Sequence, residues 1–363
     1  MNTADDVAGG STERADFLGG VHAAFSRACR SGALERISEF NLRLAGHPVR
    51  MQVAGSDLAE ILYRCFEPRV EANIPTGRAA LSIRAWDRTT TGVGCPGIPF
   101  APDVTDVLGP GLMSQYDRGR VLRYERSEIV KCLDRATGEV FVCVRDAKRL
   151  RLNDRTKPFP HFLATWCLDH GVQLLHAGAV SRKGRGMLFG GEGGSGKSTC
   201  VIACALAGFD CLGDDTVGTS LATNGTIAYA CYNAMRCDAR ILDWFPTLRS
   251  VSMAPAHPAE KNKSLVYLSD VCSASIVSQT SIAAIVVTEV RGTGASTIVP
   301  ASKAATLRRL APSTLFRGLG AGSAGFSHIA ELVRRHPCYE LQMGATPADV
   351  PDLIDRTLED LTR

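Results

Sequence analysis

The residue types best suited to chemistry lie in a glycine-rich segment, GEGGSGKS, at Gly191–Ser198. The segment fits the pattern G-x-x-x-x-G-K-[ST] in full. Glycines let consecutive backbone N–H groups turn toward a phosphate, Lys197 can reach the β- and γ-phosphates, and the Ser198 hydroxyl can bind magnesium. The pattern therefore predicts that a nucleoside triphosphate binds here with Mg²⁺. The residues predicted to contact it are Gly191, Glu192, Gly193, Gly194, Ser195, Gly196, Lys197, Ser198 and Thr199.

The sequence around this segment favours a phosphate-binding loop over a flexible glycine turn. The apolar run MLF at 187–189 precedes it and is typical of a strand, and TCVIACALAG at 199–208 follows with the character of a helix. A helix that starts at such a loop adds its positive N-terminal end to the phosphate site.

Two consecutive carboxylates, Asp214 and Asp215, follow the next apolar run, FDCLG at 209–213. If that strand lies beside the strand before the glycine-rich segment, its end delivers both carboxylates to the nucleotide and its metal. One carboxylate can then hold magnesium while the other accepts a proton from the substrate. The competing interpretation is a solvated Asp-Asp turn at the end of a strand.

His176 lies in the apolar run LLHAGAV at 174–180. By itself, a histidine in such a run is more often a buried, hydrogen-bonded interior side chain than a catalytic group.

The elements of the second half must position these residues. LLHAGAV predicts a strand, Lys183–Gly186 a tight turn, MLFGG a second strand and FDCLG a third. Strands alternating with helices of this length indicate an α/β sheet, and the antiparallel hairpin before the loop departs from a simple doubly wound order.

The first half carries no motif that indicates chemistry. Residues 1–20 are rich in Gly, Ser and Asp and are predicted to be disordered. Residues 21–157 are predicted to form an α+β domain, which we expect to recognise substrate, and residues 158–363 the catalytic domain. A helix is expected at about residues 20–30, and the alternation in residues 40–55 predicts a β-hairpin. The proline- and glycine-rich stretches at 95–104 and 109–111 predict a loop-rich middle.

Composition excludes several classes of protein. The 363 residues have 45% hydrophobic and 21% charged residues and a net charge of +4, without a dense basic run, so nucleic acid is not an expected partner. The N-terminal residues lack the apolar region of a secretory signal and no apolar stretch is long enough to span a bilayer, which predicts a cytoplasmic protein without a membrane partner. The thirteen cysteines are odd in number and form no CxxC pair, so buried reduced thiols are expected; Cys200 and Cys204 alone do not predict a metal site.

The stretch from LLHAGAV through GGSGKST, followed by GFDCLGDD, resembles the catalytic core of the HPr kinase/phosphorylase family. The specific part of the resemblance covers about residues 165–220. A weaker part runs through the C-terminal third and resembles HPr-kinase-like proteins of bacterial biosynthetic gene clusters. The resemblance implies an α/β fold with a P-loop kinase core of the HPr kinase/phosphoenolpyruvate carboxykinase type. It also implies an ATP- and Mg²⁺-dependent kinase that phosphorylates a serine-like hydroxyl of a protein, peptide or small metabolite, and it allows a homo-oligomer.

The resemblance also assigns roles to individual residues. Lys197 and Ser198 would bind phosphate and magnesium, Asp214 would be the catalytic base, Asp215 would contribute to the metal, and His176 would lie beside Asp214 and tune its proton affinity. Contacts with phosphate or substrate are implied for three basic residues: Arg236, Lys261 and Lys263.

The sequence departs from that family at two points. Thr199 stands where those proteins have an acidic residue, which puts one metal contact in question. The glycine-rich signature linked to their phosphorylase reaction has no counterpart here, so only the kinase reaction is expected.

Two other functions compete with a kinase. A P-loop ATPase or GTPase could use hydrolysis to switch a partner protein, but the N-K-x-D motif of G proteins and any arginine-finger motif are absent from the sequence. A nucleotide-binding scaffold without catalysis is disfavoured by the intact Lys197, Ser198 and Asp pair.

Overall fold

The structure, a computed structural model, describes residues 5–31, 37–72, 79–98, 101–108, 110–223, 225–255, 260, 262–272, 275–315, 319 and 322–361, with side chains described from Phe17 onward. The fold is mixed α/β and forms two compact units. The main change from one unit to the other falls at Leu150/Arg151, close to the boundary predicted at Lys157-Pro158, and the second unit also takes in residues 44–46 and 64–69. None of the described helices is both long and apolar enough to cross a membrane.

The N-terminal unit is built on an eight-stranded sheet in the order β1-β2-β3-β8-β7-β6-β5-β4. The strand pairs β2–β3 and β3–β8 are parallel, and those from β8 out to β4 are antiparallel. Its strands and helices are β1 Ser38–Leu44, β2 His47–Ala54, β3 Leu81–Asp87, β4 Val104–Leu108, β5 Gly111–Tyr116, β6 Val121–Arg126, β7 Ile129–Asp134, β8 Glu139–Val144, α1 Asp5–Cys29, α2 Ser56–Phe66 and α3 Arg88–Thr91.

Helix α1 replaces the disorder predicted for residues 1–20, of which residues 1–4 lie outside the described part of the chain. Its apolar face packs into a core with Trp86 and Phe141. The polar and glycine-rich composition of the first residues concealed this face, whose periodicity becomes visible only where the buried residues begin. Its buried residues recur every three or four positions: Phe17, Val21, Ala24, Phe25 and Ala28.

The middle of this unit is more regular than predicted. The hairpin expected over residues 40–55 corresponds to β1 and β2, which are neighbours in the sheet. Residues 92–98 are irregular, as the prolines and glycines indicated, but the predicted loop-rich region also holds four consecutive antiparallel strands, β4 to β7. Four of the five residues of β4 are exposed, so this strand lacks the buried apolar face from which a strand is predicted in a sequence.

The C-terminal unit contains a nine-stranded mixed sheet whose main path runs β12-β10-β11-β17-β14-β13-β9, with β19 pairing β17 and β18. A separate two-stranded sheet pairs β15 with β16. Its elements are α4 Leu152–Thr156, α5 Pro160–Asp169, β9 Gln173–Leu175, β10 Gly178–Arg182, β11 Arg185–Gly190, α6 Lys197–Leu206, β12 Asp210–Gly213, β13 Val217–Ala222, β14 Gly225–Ala230, β15 Ala234–Asp238, α7 Ala239–Trp244, β16 Lys263–Tyr267, α8 Leu268–Cys272, β17 Gln279–Val290, β18 Thr297–Pro300, α9 Lys303–Leu315, α10 Gly322–Arg335, β19 Cys338–Met343 and α11 Val350–Asp360.

Both faces of the larger sheet are covered at its centre, so the middle of its central strands is apolar, as in residues 187–189 of β11 and 282–287 of β17. Met187 and Phe189 of β11 face a core shared with α6 and α11, whereas Leu188 faces a second core shared with α9 and α10. Successive side chains along β11 therefore point into two different hydrophobic cores, and the sheet lies between two layers of helices.

Candidate active site

The glycine-rich segment is a loop between strand β11, which ends at Gly190, and helix α6, which begins at Lys197. At two positions of the loop the backbone conformation favours glycine. Gly191 and Gly196 have φ values of +138° and +101°, and a Cβ on Gly196 would lie 2.7 Å from Cε of Met343. The sequence pattern predicted this strand–loop–helix order correctly, and the packing against β19 fixes how the loop enters the helix.

Lys197 folds its side chain back along the loop. Its Nζ donates hydrogen bonds to the carbonyl oxygens of Gly191 at 2.9 Å and Glu192 at 2.7 Å, and the residue is buried. The ammonium group is thus held against the first two residues of the loop.

Strand β12 does not lie beside β11, although adjacency of these two strands was the arrangement considered for bringing the Asp pair to the loop. Strand β10 lies between them and is antiparallel to both. Strands β11 and β12 are therefore parallel to each other, and their C-terminal ends reach the same edge of the sheet, where β10 begins at Gly178. The expected convergence of the loop and the Asp pair is present, although one strand separates them.

Asp214 follows β12 and contacts the start of α6. The Ser198 hydroxyl donates to its two carboxylate oxygens, at 2.9 Å to Oδ1 and 2.8 Å to Oδ2. Helix α6 also packs closely against Gly178, where a Cβ would lie 2.5 Å from Cγ2 of Val201. Burial and the neighbouring charge of Asp215 raise the pKa of Asp214 to about 6, although the Ser198 hydrogen bond and Lys197 act in the opposite direction.

His176 contacts Asp215, which corrects the expectation that it lies beside Asp214. Its Nδ1 is 2.7 Å from Oδ1 of Asp215 and 3.1 Å from the Asp215 backbone oxygen. Since both neighbours are acceptors, Nδ1 carries the proton. The histidine also interrupts the predicted strand LLHAGAV, which is divided into β9 and β10. Its backbone N–H donates to Oγ1 of Thr314 at 3.1 Å instead of to a neighbouring strand.

Three cationic or potentially cationic groups surround the Asp215 side chain. Lys157 Nζ contacts Oδ2, Arg236 Nη2 lies 3.3 Å from Oδ2, and His176 approaches Oδ1. Burial alone would raise the pKa of Asp215, but Lys157, His176 and Arg236 reverse this effect and hold it well below its usual range. Asp215 also has φ +64°, a left-handed conformation that is uncommon outside glycine and that is frequent at functional positions.

Lys157 is a member of this cluster that the sequence did not predict. It follows α4 and is buried with a side-chain exposure of 10%. In the sequence, the dipeptide Lys157-Pro158 has the character of a domain boundary, and nothing local relates it to Asp215, 58 positions later. Lysine is rarely buried without a partner, but the burial of Lys157 becomes visible only in the folded chain.

The other predicted basic residues are distributed around the site. Arg236 lies on β15 and reaches Asp215, whereas Lys263 is exposed at the start of β16, paired with Asp238 across the small sheet. Lys261 lies outside the described residues. One pocket gathers most of the predicted set, and its lining includes His176, Gly193, Gly194, Gly196, Lys197, Ser198, Thr199, Asp214, Asp215, Arg236 and Lys263.

The remaining predicted contacts differ in exposure. The Glu192 side chain is exposed while its carbonyl accepts from Lys197, and Thr199 is buried inside the first turn of α6. The hydroxyl groups of Ser195 and Thr288 lie 2.9 Å apart, which ties the loop to β17. Ser195 therefore stabilises the loop conformation through its side chain.

The described residues include no group of three or more His, Cys, Asp or Glu side chains arranged to hold a metal ion by themselves. Cys200 and Cys204 are both buried in α6 and have free thiols. A metal bound at Ser198 and Asp214 would therefore need ligands from a bound molecule, which is how magnesium commonly binds in nucleotide sites.

Comparisons with known proteins leave the chain without a family assignment. No protein-family model matches it, and no curated protein matches its sequence. Among solved structures, it is similar to that of the Hpr(Ser) kinase/phosphatase from Coxiella burnetii, with a TM-score of 0.30 and 10% identity over 53% of this chain and 99% of that chain. At that level of similarity, conclusions about activity depend on the geometry of the site.

Proposed function

We propose that this protein transfers the γ-phosphoryl group of a nucleoside triphosphate, ATP in our assignment, to a serine-like hydroxyl group. One observation carries the proposal: a glycine-rich strand–loop–helix turn, its lysine, a Ser–Asp pair and a second, cation-surrounded aspartate line one pocket. Phosphoryl transfer depends mainly on positioning and on stabilising charge, and these are the groups that such a site needs.

The loop at Gly191–Gly196 would bind the phosphates as a P-loop does. Its glycines allow backbone N–H groups to face an anion, and α6 starts directly behind it with its unpaired N–H groups. Lys197, held at the turn by two loop carbonyls, has the reach to place its ammonium group on the β- and γ-phosphates.

The Ser198–Asp214 pair fits a magnesium ion. A hydroxyl and a carboxylate lie within 2.9 Å of each other, both are hard oxygen donors, and phosphates of a bound nucleotide would complete the coordination. When bound, magnesium supplies charge neutralisation at the β- and γ-phosphates. In this proposal Asp214 is the metal-side carboxylate, the reverse of the role that the resemblance implied, because Ser198 is its hydrogen-bond partner.

Asp215 is then the carboxylate that faces the acceptor hydroxyl. The surrounding cations keep it ionised throughout the neutral range, so it can accept a hydrogen bond from the hydroxyl and take its proton as the new O–P bond forms. A weak base suffices because the transition state of phosphoryl transfer is loose and the nucleophile needs orientation more than strong activation. His176 would orient Asp215, and Arg236 and Lys157 would neutralise charge that develops near it.

The acceptor in this proposal is a hydroxyl of a protein, a peptide or a small metabolite, and the N-terminal unit would contribute to its recognition. The competing function is a P-loop ATPase that switches a partner protein, for which hydrolysis is the productive reaction. Both functions use the same loop, so they differ only in where the phosphoryl group goes.

Incubation with γ-³²P-labelled ATP, Mg²⁺ and an extract of the source cells separates the two functions. A kinase transfers label to a peptide, protein or metabolite, and Asp215→Asn abolishes this transfer while nucleotide binding persists. Release of labelled inorganic phosphate alone, at an unchanged rate in Asp215→Asn, would contradict the kinase and support the ATPase. The matched control is Asp243→Asn, which removes an exposed carboxylate that does not line the pocket.

A further inference from the structure

The pocket lined by the glycine-rich loop also has an apolar wall, and the residues of this wall have no role in the proposed phosphoryl transfer. This wall is formed by Ile241 and Trp244 of α7 and by Val290 at the end of β17. Ile241 is buried, whereas Trp244 and Val290 are half-buried and keep part of their apolar surface on the pocket. The guanidinium of Arg240 lies over the Trp244 ring, with Cζ 4.3 Å from the ring centroid.

Strand β15 separates this wall from Asp215 along the chain. Strand β15 leads from Arg236, whose Nη2 is 3.3 Å from Asp215, to Asp238, whose carboxylate caps the start of α7. An extended strand advances about 3.3 Å per residue, so α7, which begins at Ala239, starts roughly 10 Å along the chain from Arg236. Val290 belongs to the same wall and borders the loop, since a Cβ on Gly196 would lie 3.1 Å from its Cγ2.

The pocket lining combines groups suited to each part of a nucleoside triphosphate. Asp215 and Arg236, the loop residues Lys197 and Ser198, and an aromatic and aliphatic surface all line it. In a bound triphosphate the γ-phosphate points to the acceptor, so the base is at the opposite end of the molecule. A planar, weakly polar base is also the part of the ligand that gains most from an indole ring.

We propose that Trp244, with Arg240 stacked on it, is the platform on which the nucleobase of the triphosphate stacks. This inference rests on the proposed function and adds the base-binding residue to it. Bases stack on aromatic rings and on arginine guanidinium planes alike, so the Arg240–Trp244 pair offers a surface suited to either contact. Because stacking is tolerant of base identity, the pair binds ATP and GTP with similar energy.

The proposal is tested by comparing the affinities of ligands that have a nucleobase with the affinity of a ligand that has none. The dissociation constants of Mg·ATP, Mg·GTP and Mg·tripolyphosphate are measured by calorimetry for the wild type and for Trp244→Leu, which keeps an apolar side chain against the core. Stacking on one aromatic residue contributes enough to predict a loss of about 5- to 100-fold for both nucleotides. The affinity for Mg·tripolyphosphate, which has no base, should change less than about twofold.

Control variants separate the failure of this inference from the failure of the proposed function. Phe326→Leu removes an aromatic ring that is 45% exposed on α10 and should change none of the three affinities. Trp244→Phe keeps a smaller aromatic ring and should lose less nucleotide affinity than Trp244→Leu. This second variant keeps the proposal testable if the leucine variant folds poorly. Equal effects of Trp244→Leu on ATP and tripolyphosphate, or no effect on either, would overturn the base platform. A wild-type protein that binds none of the three ligands would overturn the proposed function itself.

Discussion

Nδ1 of His176 lies 2.7 Å from Oδ1 of Asp215. The contact therefore connects the irregular residue between β9 and β10 with the second residue of the Asp pair. Asp214, one residue earlier, accepts instead from Ser198 at the start of α6. Two consecutive carboxylates therefore serve different sides of one pocket. Asp215 itself has a left-handed backbone, with φ +64°.

The His176 contact predicts a catalytic effect without an effect on nucleotide binding. His176→Ala removes the donor that orients Asp215, and we expect kcat to fall about 10- to 100-fold while the dissociation constant of Mg·ATP changes less than twofold. His176→Gln retains a donor and should lose less. Thermal melts are run on both variants, with His170→Ala as a control outside the pocket lining. Unchanged kcat in a well-folded His176→Ala would show that the histidine only packs the interior.

The two aspartates should divide their roles. Asp214→Asn should raise the magnesium concentration needed for half-maximal activity, because a carboxylate ligand becomes a weaker amide ligand. Asp215→Asn should leave that concentration nearly unchanged and lower kcat by about two to four orders of magnitude. Magnesium titrations of activity measure both effects. The reverse pattern would restore the roles that the sequence resemblance implied.

The same two substitutions should have opposite effects on stability. The pKa of Asp214 is raised by burial to about 6, so the stability that its protonated form contributes is complete below about pH 4 and is lost as the pH rises through 6. Asp214→Asn should therefore increase the free energy of unfolding at pH 7 by on the order of 2–3 kcal/mol, and this gain should vanish below about pH 4.

Asp215 has a lowered pKa, so its ionised form contributes stability that is present above about pH 4 and is lost as the pH falls through its folded-state value. Asp215→Asn should destabilise the protein by about 3 kcal/mol at pH 7, because Lys157 is left buried beside a neutral amide. Asparagine tolerates the left-handed backbone, so strain does not confuse the comparison. Denaturant unfolding at pH 4 and pH 7 measures both variants, and equal shifts of the same sign would refute this electrostatic account.

Lys157 should matter to the site although it is far from it in sequence. Lys157→Gln removes a partner of buried Asp215 and should lower stability by about 2 kcal/mol and kcat by at least about tenfold. Lys157→Arg retains the charge and should recover part of both. Lys183→Gln, an exposed lysine in the β10–β11 turn, is the control. An inactive but fully stable Lys157→Arg would mean that the exact position of the ammonium group, more than its charge, supports Asp215.

The sequence identified the parts of the site that are local in the chain. The glycine-rich loop, the strand before it, the helix after it and the Asp pair all follow from patterns a few residues long, and these patterns report directly on backbone geometry and charge. The α/β character of the C-terminal unit followed from the alternation of the same short elements.

The rest of the site depends on contacts between distant positions. The break at His176, the insertion of β10 between β11 and β12, and the contact of Lys157 with Asp215 arise from strand order and tertiary packing. A single apolar run does not show that its two halves pair with different strands. Here the first half, β9, pairs with β13, and the second half, β10, pairs with β11. The same limit applies to Trp244, which becomes relevant only because α7 borders the loop.

The most direct test of the central claim is the affinity of the protein for Mg·ATP with and without the Lys197 ammonium group. Calorimetry should show binding by the wild type and a loss of about 10- to 100-fold in Lys197→Ala, since a charge-assisted contact to the phosphates is removed. Lys148→Ala, at a lysine whose side chain is 74% exposed, should bind as the wild type does. Equal affinity in wild type and a folded Lys197→Ala, or no binding by the wild type, would contradict nucleotide binding at this loop.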